Sequence, residues 1–157
     1  MNGGGRSPAI AAMNTTHVSA LDHTIEQTNA WLKKLEAGAF ADRHQAYSGL
    51  RAVLHALRDR LTPEQAIHLG AQFPMLVRGI YYEGWKPSRS PAPDRHLPEF
   101  LARIASEFPP QFPYSAEATA EAVLKLLWEE LDPGETAKVI QSMPSEVRSL
   151  WPTIAVP

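Results

Sequence analysis

The sequence predicts an all-helical protein made of two similar halves offset by 70 residues, and three observations carry that expectation. Apolar residues recur at helical spacing, as in Ala46, Leu50, Val53, Leu54, Leu57 and Leu61, the pattern of a stripe facing a core. The 14 prolines among 157 residues fall where such stretches begin, as at Pro63, Pro74, Pro98, Pro133 and Pro144, or in loops between them. Finally, residues 52–81 laid over 122–151 without a gap agree at nine of thirty positions, among them Val53/Val123, Leu61/Leu131, Pro63/Pro133, Pro74/Pro144 and Arg78/Arg148. About seven or eight short helices in one multi-helix bundle are expected.

The elements follow in order. Residues 1–20 hold Gly3, Gly4, Gly5 and Pro8 without a periodic apolar pattern, and read as a flexible tail in which Met13 is a second candidate start. A first amphipathic helix, capped by Asp22 and ending near Gly38, carries the stripe Leu21, Ile25, Leu32 and Leu35 with Trp31 beside it. The second, about Asp42 to Leu61, carries the stripe named above and turns His44, Arg51, His55 and Arg58 outward. Thr62, Pro63 and Gln65 are a cap, a first-turn proline and a reach-back amide, the makings of a capping box that opens a third helix. A fourth follows Phe73-Pro74 and runs to about Tyr82.

Glu83 to Leu97, with Gly84, Pro87, Pro91 and Pro93, reads as a long loop joining the halves. Beyond it, Pro98 to Phe108 predicts a helix with Phe100, Leu101, Ile104 and Phe108 inward. Ser115 caps the next, whose stripe Ala120, Val123, Leu124, Leu127 and Leu131 repeats that of the second helix. Asp132, Pro133 and Glu135 then repeat the capping device. The expected organisation is a single helical domain over 21–152, with a first half 21–86, a connecting loop 87–97, a second half 98–152 and a short tail at 153–157.

The run AYSGLRAVLHALRDRLTPEQAIHLGAQFPMLVRGIYYEGWKP, followed by EFLARIASEFP and EVRSLWP, resembles the domain-of-unknown-function family 2267, a bacterial and archaeal set of small helical proteins. The resemblance spans about Asp22 to Pro152, and LRDRLTPEQA and RGIYYEGW are its most specific segments. It implies an all-helical fold and supplies no established activity, catalytic residue or cofactor.

Composition narrows the function. At 44% apolar and 20% charged, the chain suits one compact domain with a real core. The absence of cysteine excludes disulfides, a thiolate nucleophile and cysteine-ligated metal. No stretch reaches the ~18–20 apolar residues of a membrane span, and no secretory signal is legible, so a cytoplasmic location is expected. None of the six histidines has metal-ligand spacing, and neither a nucleophile motif nor a glycine-rich phosphate loop occurs. No catalytic, metal or cofactor-binding residue is therefore assigned. Charge is uneven: residues 42–95 carry about +3 and 96–157 about −5, within a net charge of −2.

A single active or binding site needs its groups once, while two copies of a fold need their supports twice. The duplicated Arg78/Arg148 and Asp59/Glu129 accordingly predict structural ion pairs, Arg78 with Asp59 and Arg148 with Glu129. The features that are not duplicated are the candidate interaction surface: the stripe Arg51, His55, Arg58; the pair Tyr82 and Trp85; and Trp128, which stands where the first copy has Arg58. For Trp85 the favoured reading is a plug in the seam between the halves, since large aromatics are commonly used that way. The expected function is a non-catalytic protein-binding or adaptor module, meeting a protein partner or a second copy. The alternative is a nucleic-acid-binding regulator using the basic face of the first half.

Overall fold

The computed structural model describes residues 15–155, so residues 1–14 of the expected tail, Met13 included, lie outside the described residues. Within that range the chain forms eight α-helices: α1 (Ser19–Gly38), α2 (Arg43–Arg60), α3 (Pro63–Gly70), α4 (Met75–Tyr82), α5 (Leu97–Ala105), α6 (Ala116–Glu130), α7 (Pro133–Ser142) and α8 (Ser145–Arg148). Two single 3-10 turns, Pro87–Arg89 and Thr153–Ala155, complete the described elements, and no strand occurs among them. None of the described helices is long and apolar enough to cross a membrane.

Local chemistry explains most helix starts. Asp42 accepts from the Gln45 N–H at 2.8 Å and opens α2; Ser115 Oγ accepts from the Ala118 N–H at 3.0 Å and opens α6. At α3 the expected box is complete, with Thr62 Oγ1 accepting from the Gln65 N–H and Gln65 Oε1 accepting from the Thr62 N–H. At α7 only half of it forms, because the Glu135 side chain turns to Lys138 instead of reaching back to Asp132. Pro63 and Pro133 are first helical residues; Pro74 and Pro144 sit one position earlier, as caps, and Pro98 is the second residue of α5.

The first helix departs from expectation. It starts at Ser19, three residues before Asp22, and Asp22 acts from within the first turn, accepting from the Thr16 N–H at 2.7 Å and Oγ1 at 2.9 Å. A carboxylate there also complements the partial positive charge of the helix N-terminus. Its buried face is Thr24, Thr28, Trp31, Leu32 and Leu35, while Leu21 is exposed and Ile25 only partly covered. Thr24 has a second task. Its Oγ1 accepts from the Leu76 N–H at 2.9 Å, supplying from α1 the cap that Pro74 cannot give α4.

Helix α2 is the centre of the bundle, packed against α1, α4, α5 and α6. Leu50, Val53, Leu54, Leu57 and Leu61 are fully buried, as their periodicity predicts. A helix surrounded on this scale has little outward face left, and that corrects the expectation for two of its polar residues: His55 is 2% exposed and Arg58 4%. Gly49 marks where α2 crosses α6, since a Cβ there would lie 2.9 Å from Phe40 Cζ and 3.0 Å from Thr119 Cγ2.

The expected ion pairs of the duplicated arginines do not form. Arg78 Nε donates to the Gly70 carbonyl at 2.9 Å and Nη2 to the Phe73 carbonyl at 2.9 Å, while Asp59 pairs with its neighbour Arg58 at 2.8 Å. Arg148 repeats the arrangement at the end of α7, with Nε to the Met143 carbonyl at 3.0 Å and Nη2 to the Gln141 carbonyl at 3.1 Å, and makes no ion pair with Glu129 among the described residues. The physical reason is the backbone carbonyls at and just beyond a helix C-terminus, which have no partner within the helix; the guanidinium fork reaches them from the next helix. Both arginines support the fold, but their partners are backbone carbonyls.

The connecting loop is also tied down more than its composition suggests. The Ala92 N–H donates to the Asp59 carbonyl at 2.6 Å, Trp85 Nε1 donates to Ser90 Oγ at 3.0 Å, and the buried Asp94 accepts two bonds from Arg103 on α5.

Candidate functional site

The stripe expected to face a partner is instead the interior of a polar network joining α2, α4 and the segment after α5. His55 Nε2 lies 2.7 Å from the Ile80 carbonyl, which can only accept, so that nitrogen carries a proton. Nδ1 lies 2.7 Å from Glu107 Oε1, and Arg51 Nη1 donates to the same oxygen at 2.9 Å. Arg51 also donates through Nε and Nη2 to Glu83 Oε1 at 3.0 and 2.9 Å. Arg58 donates from Nη1 to the carbonyls of Tyr81 and Glu83, each at 2.9 Å, and so anchors the end of α4. Burial by itself would raise the Glu107 carboxyl, but the bond from His55 and the charges of His55, Arg51 and Arg58 outweigh it and hold the group below its ordinary range. The network positions helices; with both ring nitrogens engaged, His55 turns neither toward solvent.

The two aromatics after α4 are half-buried. Tyr82 and Trp85 stack with ring centroids 5.6 Å apart, and both rest against the core. The Tyr82 ring also covers Gly70, where a Cβ would come within 2.3 Å of the phenol oxygen. Trp128 is likewise half-buried and packed on the core, apart from this pair. The structure therefore brings Arg51, His55, Arg58 and the Tyr82 helix together, while Trp128 stands alone. Among the described residues no group of three or more histidines and carboxylates converges on a point.

Next to the network lies a surface that the sequence reading did not single out. Helices α1, α2 and α4 enclose a groove of about 520 Å³ whose walls include Leu21 and Ile25, Tyr47, and Met75, Leu76 and Ile80. Of the seven large apolar residues exposed among the described residues, four, Leu21, Tyr47, Met75 and Leu76, line this one groove. Glu83, held by Arg51, stands at its polar edge. The α1 residues reach the groove because Thr24 caps α4 and fixes the two helices side by side.

A signal for it was present in the sequence at the 70-residue offset. Tyr47, Met75 and Leu76 stand 70 residues before Glu117, Ser145 and Glu146, so three groove positions are apolar where the residues at that offset are polar. Counting departures in hydrophobicity, and not only in charge and aromatic content, points to these positions.

The profile of one protein family, described as an uncharacterized conserved protein (DUF2267), matches residues 28–150. A comparison with curated proteins finds no match.

Proposed function

We propose that this chain, which belongs to the uncharacterised conserved family DUF2267, is a non-catalytic protein-binding module whose docking surface is the apolar groove between α1, α2 and α4. The observation that carries this reading is the convergence of four exposed large apolar residues on one concavity, since such residues scatter singly on a surface without a partner. The occupant that suits a groove between helices is the apolar face of a partner's amphipathic helix, entering with side chains at helical spacing. Glu83 and Arg51 at the edge supply one fixed polar contact that orients it.

The repeat provides the test. Tyr47→Glu, Met75→Ser and Leu76→Glu install the residues that the second copy carries at the equivalent positions. All three side chains are exposed, so the triple variant keeps its melting temperature. A photo-crosslinking residue at Gly79, which lines the groove, joins the wild type to its partner and loses that product in the triple variant. Undiminished crosslinking in the folded triple variant overturns the reading. Sedimentation at rising protein concentration identifies the case in which the partner is a second copy.

The nucleic-acid reading is less well supported. Its cations Arg51 and Arg58 are bound to Glu83, Glu107, Asp59 and backbone carbonyls, and Arg78 is bound to carbonyls. A phosphate backbone is met by cations that project from the surface.

A further inference from the structure

A second concavity, of about 470 Å³, lies where the C-terminal end of α2 and α5 meet the connecting segment, with walls from Arg58, Asp59, Gly84, Lys86, Arg89 and Arg103. Four cations surround it. Two of them are built into the fold: Arg58, with its side chain 5% exposed, is held by Asp59 and by the carbonyls of Tyr81 and Glu83, and Arg103 is held by the buried Asp94. Neither uses all of its donors. Arg58 Nη2 and Arg103 Nη1 make no hydrogen bond to a described residue, although both side chains line the pocket. The other two, Lys86 and Arg89, are exposed at the mouth and have no ion-pair partner among the described residues. Against these four charges stand two carboxylates, Asp59 and Asp94, and each is already occupied by a guanidinium.

We propose that this pocket binds a small molecule through a phosphate or pyrophosphate group. A multiply charged anion is the ligand that pairs the remaining donors. Arg58 is fixed in advance by Asp59 at Nε and by two neutral carbonyls at Nη1, so its free Nη2 is already oriented and ordering it on binding costs little; Asp59 offsets part of its charge, and the net positive charge of the pocket comes from Lys86 and Arg89. Lys86 and Arg89 close around the anion from the mouth, and the low-dielectric wall formed by Ala92 and Pro93 concentrates the field between them. The volume falls within the ~300–1,000 Å³ range of small-molecule sites. The repeat argues in the same direction: Arg58 is replaced by Trp128 in the second copy, and Lys86 and Arg89 lie outside the duplicated stretch, as expected for a site that occurs once.

The test is titration of the full chain with sodium pyrophosphate by calorimetry, alongside sodium sulfate at matched ionic strength. Lys86→Gln and Arg89→Gln remove the two exposed cations, and Arg95→Gln, an exposed arginine outside the pocket wall, controls for the same change in net charge. The expected result is saturable one-to-one binding of pyrophosphate, tighter than sulfate, weakened about tenfold or more by each pocket variant and no more than about twofold by Arg95→Gln. Absence of saturable binding, equal affinity for sulfate, or an equal loss in Arg95→Gln overturns the proposal. Melting curves of all three variants match the wild type, because the substituted side chains are exposed.

Discussion

Gly49 on α2 and Thr119 on α6, 70 residues apart in the sequence, face each other where the two helices cross. A Cβ at Gly49 would stand 3.0 Å from Thr119 Cγ2 and 2.9 Å from Phe40 Cζ, and both neighbours are buried. The helices approach this closely because one of the two positions has no side chain.

Gly49→Ala should therefore destabilise the protein even though alanine is the better helix former. Overpacking costs about 1–3 kcal/mol, against the ~1 kcal/mol that helix propensity returns. A lower urea midpoint with an unchanged slope is the expected readout.

Thr119 offers the opposite case. Its Oγ1 is buried without a hydrogen-bond partner among the described residues, so Thr119→Val, which keeps the methyl against Gly49 and removes the orphan hydroxyl, should hold or raise stability by up to about 1 kcal/mol. A fall in melting temperature would show that the hydroxyl has a partner after all.

Arg78→Ala should cost about 1.5–3 kcal/mol, because it removes the charged donor from the carbonyls of Gly70 and Phe73 just past α3, of which Gly70 keeps only the longer bond from the Phe73 N–H. Arg78→Lys should recover only part of this, since one ammonium cannot span both acceptors as the guanidinium does. Asp59→Asn combined with Arg78→Ala should be additive in denaturant unfolding, as the two side chains are not partners.

Glu107 makes the stability depend on acid pH. Its folded carboxyl titrates below the ordinary value of 4.5, so on acidification the unfolded chain takes up the proton first. The contribution is present in full above about 4.5 and is lost as pH falls through the lower folded value. Glu107→Gln should flatten the acid limb of a plot of melting temperature against pH and lower stability at neutral pH by about 1–3 kcal/mol. Glu146, held low by the Leu97 N–H and by His96, adds to the same limb, and should continue to do so in the Glu107 variant.

Interactions that span three or four residues were open to reading in the chain itself: the stripe of α2, the Thr62–Gln65 box and the Ser115 cap. Each depends on atoms one helical turn apart, so spacing alone specifies it. The direction of the far face of α2 was not open in the same way. His55 is buried by Glu107, 52 residues further on, and by the Ile80 carbonyl, and a carbonyl leaves no mark in a sequence because every residue has one. The same holds for Arg78, whose partners are backbone atoms, and for the groove, whose walls come from three helices that only packing sets side by side. Periodicity determined which residues become helix and which stripe is apolar; tertiary structure decided which polar groups are enclosed and which apolar ones stay exposed. The physical reason is that burial depends on the neighbours a helix acquires, not on its own pattern.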